Sequence, residues 1–286
     1  MLESIVPSGV KAMAVERYLK RAWPMIPAHG LRDTFKHRDV KVNGERVGEK
    51  EIVAAGDRIQ LFLPDKYRPQ PIQTVFNDGF LIACVKPQGL PVDVDQDGIG
   101  EDTLLSRAQA LFPSAQLCHR LDAQTGGMVL LANDPDTLAR AEETFKMHAL
   151  QKKYLAVCKG GFAKREETLT DYLIKDSGQS LVRVISKSRP GAKEIKTHYR
   201  VIEDCGSLAY VELEPITGRT HQLRAHLASI QHPLIGDDKY GDRTLNRTFP
   251  GQLRLWCESV RIEKESPLTN YRGQVFAAPK PDWWEI

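Results

Sequence analysis

The spacing of apolar residues divides the chain into two stretches on either side of a proline-rich segment. Met13, Val15, Tyr18, Leu19 and Trp23 recur at helical spacing and predict a helix over residues 12–22; Leu31 to His37 reads as a second, shorter helix. Val40-Lys41-Val42-Asn43-Gly44-Glu45-Arg46-Val47 predicts a tight hairpin, because Asn-Gly supplies the positive φ angles of its turn. A turn at Ala55-Gly56-Asp57 precedes a strand from Arg58 to Leu63. Pro64 to Pro71, with three prolines, reads as a linker. Beyond it, Thr74 to Phe76, Phe80 to Val85 and Met128 to Ala132 predict strands. Pro135 opens a helix capped by Asp134, with Leu138, Ala141, Phe145 and Ala149 on one face. Tyr154, Ala156 and Cys158 alternate with Leu155 and Val157, as on a strand. No internal repeat is evident. The expected domains are residues 1–68, with the linker, and residues 69–286.

Composition narrows the class. Apolar residues make up 41% of the 286, enough for a sizeable core. No apolar run approaches a membrane span, Met128 to Ala132 being typical of the longest, and the amino terminus does not read as a secretory signal. The five cysteines are odd in number, scattered and without a CxxC pair, which argues against a disulfide framework or zinc site and for the reduced cytoplasm. Net charge is only +3, yet residues 1–70 hold 13 Lys and Arg against 9 Asp and Glu, and the remainder is nearly balanced. A basic amino-terminal piece on a near-neutral body fits an RNA-gripping module, although an ordinary solvated surface has the same composition.

Candidate chemistry is densest at Cys118-His119-Arg120-Leu121-Asp122-Ala123-Gln124-Thr125-Gly126-Gly127, a polar, glycine-ended loop running into the Met128 strand. Asp93-Val94-Asp95-Gln96-Asp97-Gly98 imitates a calcium loop, but its twelfth position is Leu104 where a bidentate glutamate is required. His221, His226 and His232 lack a metal-binding spacing, and no glycine-rich loop is built to cradle phosphates. No metal or cofactor is expected from these patterns.

His119 to Gly127 resembles the HRLDxxTSG signature of the RluA-type RNA pseudouridine synthases. Lys86-Pro87-Gln88-Gly89-Leu90-Pro91-Val92 precedes it as in that family. Tyr154 follows in a KxYxA-type strand, with Lys152 as the literal match. Thr217 to Leu227, containing Gly218-Arg219-Thr220-His221-Gln222-Leu223-Arg224, and His232 to Gly241 complete the set. Two positions depart from the pattern: Gly126 stands where the signature has serine, and Leu255-Trp256-Cys257 stands where the family has Leu-His-Ala. The two helices and VNG hairpin, with Arg17, Lys20, Arg21, Lys36, Arg38 and Lys41 among them, resemble the RNA-binding module first described in ribosomal protein S-four. The resemblance implies an α+β fold with a long mixed, mainly antiparallel sheet and a central cleft, joined to a small α+β amino-terminal domain.

It also implies the reaction. In forming pseudouridine, uracil leaves the sugar through nitrogen, rotates and returns through carbon five, without redox change or external energy. A carboxylate that stays ionised beside a permanent cation suits such a step, as nucleophile or base. By resemblance Asp122 is the nucleophile, Arg224 its ion-pair partner and Tyr154 the group stacking on the base. Arg120 would fill the space left by a flipped nucleotide, with His119, Arg219 and Gln222 in support. Arg120, His119, Arg219 and Gln222, with Arg17, Lys20 and Lys41, are the candidate RNA contacts. Helical spacing puts His221, Arg224 and Ala228 on one face and Leu223, Leu227 and Ile230 on another. Large-subunit ribosomal RNA is the implied substrate and transfer RNA the alternative; the oligomeric state is not legible. The rival functions are a non-catalytic RNA-binding or assembly protein on a synthase scaffold, and a hydrolase with paired carboxylates.

Overall fold

A computed structural model describes residues 1–175 and 181–285 as two compact units: Met1–Ile72 with Gly89–Pro113, and Gln73–Gln88 with Ser114–Ile286. The first unit has helices Val15–Ala22 and Ala28–Lys36 and an antiparallel sheet ordered Leu2–Ile5, Arg58–Leu61, Val40–Val42, Glu45–Arg46. Asn43 and Gly44 turn the hairpin at φ 51° and 89°. Asn43 also accepts the Arg58 amide proton and donates to Asp57, which fixes the neighbouring strand. Strand Leu2–Ile5 is absent from the expected elements because its inward position is polar: the Ser4 hydroxyl is buried against the Tyr18 hydroxyl and Glu101. The segment expected as a linker is anchored midway, where Tyr67 packs on this unit's core and meets the His29 ring edge-on.

Gly89–Pro113, placed by sequence in the carboxy-terminal domain, clusters with the amino-terminal unit. Ile99 lies in its core, and the Asp102 amide donates to Ala22 O. Arg107 makes a buried two-pronged pair with Asp102 and donates to Gln70 O. Asp95 and Asp97 both hold Arg21, at 2.7 and 2.6 Å. This segment brings Asp93, Asp95, Asp97, Glu101 and Asp102 against a single base, Arg107, so the positive excess of residues 1–70 is cancelled within the folded unit. Helix Leu104–Gln109 starts at a reciprocal cap between Thr103 and Ser106.

The second unit is built on an eleven-stranded sheet. Its path runs through Val182–Ile185, Glu166–Lys175, Lys193–Asp204, Leu208–Pro215, Leu150–Lys159, Leu255–Ile262, Gly126–Ala132, Leu81–Lys86 and Gln73–Asn77. Gln116–Leu117 and Val275–Ala277 pair off this path. Its halves meet where Gly126 and Gly127 pair in parallel with Trp256 and Cys257; the other strand pairs are antiparallel. Gly127 has φ 111°, and a Cβ there would lie 2.2 Å from Cys257 O, so glycine is required at this junction. Asp134 caps helix Pro135–Lys146 through the Asp136 and Thr137 amides. Helix Gln222–Ser229 is enclosed along most of its length: Gln222, Leu223, Arg224, Ala225, His226 and Leu227 are all buried.

Candidate active site

Asp122 lies in the loop between Gln116–Leu117 and Gly126–Ala132, which the Thr125 amide closes by donating to Asp122 O at 3.0 Å. Lys86, at the end of an adjacent strand, is fully buried, and its Nζ donates to Pro87 O (3.0 Å) and Ala123 O (2.9 Å). Burial pulls this ammonium down to about 7 against the opposing pull of the Asp122 charge. Gln88 braces the loop by donating to Gln124 O and Leu253 O.

Helix Gln222–Ser229 supplies the cation. Arg224 is only 3% exposed; its Nη1 stands 3.6 Å from Asp122 Oδ2, and the Asp122 side chain is 28% exposed. The rest of the guanidinium is anchored: Nε and Nη2 donate to Asp237 at 2.8 and 2.7 Å, and Nη2 also to Asp238 at 2.9 Å. Burial pulls Arg224 down, but the hydrogen bonds and charge of Asp237, aided by Asp122 and Asp238, hold it above its ordinary value. Burial likewise pushes the Asp237 carboxyl up, and the Arg224 pair with the Tyr240 and Lys239 amides outweighs it, keeping Asp237 below the usual carboxylate range.

His221 completes the cluster. It precedes the helix in the left-handed region, at φ 54°, where residues other than glycine seldom sit. Its Nδ1 is 2.9 Å from the Tyr240 hydroxyl and its Nε2 is 3.9 Å from Asp122. Burial lowers its pKa, outweighing the Asp122 charge. The Tyr240 ring also faces the Arg224 guanidinium at 5.5 Å.

Tyr154 follows a register shift between strands Leu150–Lys159 and Leu255–Ile262. Its ring is buried, and burial, followed by the nearby Cys257 and the charge of Asp122, pushes its hydroxyl well above the ordinary tyrosine value. Burial thus favours the protonated phenol at this position.

Arg120 and Arg219 are exposed. The other two supporting candidates are turned inward, contrary to the RNA contacts expected of them. His119 is buried, stacked on Phe145 at 5.0 Å, and its Nε2 accepts the Leu130 amide proton. Gln222 is buried with its amide committed: Oε1 accepts from Thr217 Oγ1 and the Arg219 amide, and Nε2 donates to Lys196 O and Thr197 Oγ1. It therefore shapes the loop that presents Arg219. Arg17 and Lys20 are exposed on helix Val15–Ala22, Lys20 pairing with Glu16, and Lys41 lies over the Phe62 ring. The anchoring role of Asp237 and the loop contacts of Lys86 and Gln88 escaped the sequence reading. All three lie within the family motifs, but nothing in their spacing marks which atoms they hold. Among the described residues, no three His, Cys, Asp or Glu side chains converge as a metal site requires, and no helix is long and apolar enough to cross a membrane.

Comparison with known proteins places this geometry. Residues 80–229 match the family model described as RNA pseudouridylate synthase. The chain is 29% identical to ribosomal large subunit pseudouridine synthase C of Vibrio vulnificus, over 95% of this chain and 91% of that protein. It is 30% identical to an uncharacterized RNA pseudouridine synthase of Bacillus subtilis, over 76% of each. Among solved structures, human RNA pseudouridylate synthase domain containing 4 aligns with a TM-score of 0.60 at 26% identity, covering 74% of this chain and 89% of that one. The chain belongs to the RNA pseudouridylate synthases, isomerases that act on RNA.

Proposed function

We propose that Asp122 is the nucleophile of uridine isomerisation and that the substrate is large-subunit ribosomal RNA. The observation carrying the first part is the pairing of a partly accessible Asp122 with a buried Arg224 whose other nitrogens are committed elsewhere. A permanent cation held in place by Asp237 favours the ionised carboxylate without having to move toward it. Tyr154 offers its ring to the base, and Arg120, exposed two residues before Asp122, fills the vacated stack. His119 and Gln222 support the loops from within. Asp237 does not make the second acid of a hydrolase, because its carboxylate is held ionised by Arg224.

The substrate assignment is supported by the relatives named as large-subunit synthases, which align along nearly the whole chain. Residues 1–68 act as an RNA-binding module like that of ribosomal protein S-four, a reading supported by the two helices and the Asn43-Gly44 hairpin. Five free cysteines, four of them buried, fit a reduced cytoplasm. Mapping pseudouridines across total RNA from cells with and without the gene tests the substrate. Loss of sites in large-subunit ribosomal RNA supports the assignment; loss confined to transfer RNA replaces it.

A further inference from the structure

Gly126 and Trp256, the two departures from the family patterns, lie far apart in sequence yet are register partners at the parallel junction of the sheet. A Cβ at Gly126 would stand 2.4 Å from Cζ3 and 2.6 Å from Cε3 of Trp256, and 2.7 Å from Cγ of Gln88. Such approaches are well inside van der Waals contact. Unlike Gly127, Gly126 does not occupy the left-handed region, so its backbone would accept a side chain. The Trp256 ring and Gln88, not the chain's conformation, exclude one. Trp256 is 9% exposed, and its Nε1 is buried without a hydrogen-bond partner, so packing rather than a polar contact fixes the ring. Gln88 is pinned as well, donating to Gln124 O and Leu253 O and accepting from Trp283 Nε1 at 3.2 Å.

We propose that Trp256 is a positioning residue for Asp122, interlocked with Gly126: its ring fills the space that a side chain at 126 would take and sets the strand end from which the Asp122 loop hangs. The adjoining Thr125 amide carries that position to Asp122 O, and Gln88 holds Gln124 O between them. A serine at 126 would push against the ring and shift Asp122 relative to Arg224, now 3.6 Å away. The smaller histidine of the family pattern at 256 removes both ring contacts and leaves only the Gln88 side chain to give way to the serine. The two departures are thus one compensated change.

The inference rests on Asp122 being the nucleophile. Asp122→Asn tests that reading separately, because it leaves the contact between 126 and 256 intact. The pair is tested in the full-length chain with Gly126→Ser, Trp256→His and the double variant. Single-turnover rates and KM are measured on RNA from cells lacking the gene, with circular dichroism and thermal unfolding alongside. Gly126→Ser is expected to slow turnover at saturating RNA by about tenfold or more, since small displacements of a reacting group are costly, while KM changes little. Adding Trp256→His is expected to restore most of the rate. A Gly126→Ser enzyme with wild-type turnover, a loss confined to KM, or a double variant no faster than Gly126→Ser overturns the proposal. Should Gly126→Ser fail to fold, a folded and active double variant supports the interlock and an unfolded one overturns it.

Discussion

Arg224 faces Asp122 through Nη1, 3.6 Å from Oδ2, while Nε and Nη2 are bound to Asp237. The guanidinium is thus a fixed charge, and its anchor is as important as its partner. Replacing Asp237 by Asn breaks the buried half of this ion pair and leaves the guanidinium only the more exposed Asp238 and Asp122; breaking a buried pair typically costs about 3–5 kcal/mol. Urea unfolding of Asp237→Asn should show a loss of this order, with reduced turnover in the remaining folded enzyme. The acid limb should change as well. A carboxyl held below its unfolded value contributes stability above the unfolded pKa, about 3.9, that is lost as pH falls through the folded one. Asp237→Asn should therefore be less steeply destabilised by acid.

His119 predicts a second pH effect of different origin. Burial, reinforced by the Lys152 charge, lowers its pKa from 6.5 to about 3. Between these values the unfolded chain takes up a proton that the folded chain refuses, so stability falls as pH drops below 6.5. The limiting slope for one such group is about 1.4 kcal/mol per pH unit. His119→Gln keeps an acceptor for the Leu130 amide and should flatten the dependence of stability on pH between 6 and 4 (roughly the titrating window). An unchanged slope would mean that His119 is protonated in the folded protein.

Tyr154 should act through its ring. With its hydroxyl held protonated by burial, Tyr154→Phe is expected to keep turnover within about tenfold of the parent, the scale of losing one hydrogen bond. Tyr154→Leu should lose far more, since it removes the stacking face. Equal loss in both variants would point to the hydroxyl instead.

The amino-terminal unit should hold RNA through local charge rather than net charge, because its acids and bases are balanced once Gly89–Pro113 is included. Deleting residues 1–68 would also strip Ile99 of its packing partners, so charge substitutions are the cleaner probe. Changing Arg17, Lys20 and Lys41 together to Ala should weaken binding and lower the salt slope, by up to roughly 0.9 for each phosphate no longer neutralised. The rate at saturating RNA should change less than affinity does. An unaltered slope would remove these residues from the RNA interface.

Much of the site was legible because its residues sit in contiguous motifs: Asp122, Arg224 and Tyr154 were all identifiable before their geometry was known. Local signals also found the Asn43-Gly44 turn and the Asp134 cap. What sequence could not reveal depends on side-chain direction. His119 and Gln222 look like contact residues in a motif, but the fold turns both inward to satisfy backbone groups. Strand Leu2–Ile5 is hidden by the buried Ser4. Lys193–Asp204 carries a period-two signal in Ile195, Thr197, Tyr199 and Val201, weakened by the threonine at a core position. The clustering of Gly89–Pro113 with the amino-terminal unit follows from pairings remote in sequence, such as Arg21 with Asp95, which no local pattern announces.

Whether the Asp122 carboxylate performs the chemistry is open to a direct test. The near-isosteric Asp122→Asn removes its charge while leaving the Arg224 anchor to Asp237 in place. The decisive measurement is single-turnover pseudouridine formation by pure Asp122→Asn protein on RNA from cells lacking the gene, with RNA affinity and thermal unfolding measured on the same preparation. A nucleophilic Asp122 leaves the variant with no detectable pseudouridine while affinity and folding are largely retained; turnover above background would remove Asp122 from the chemistry.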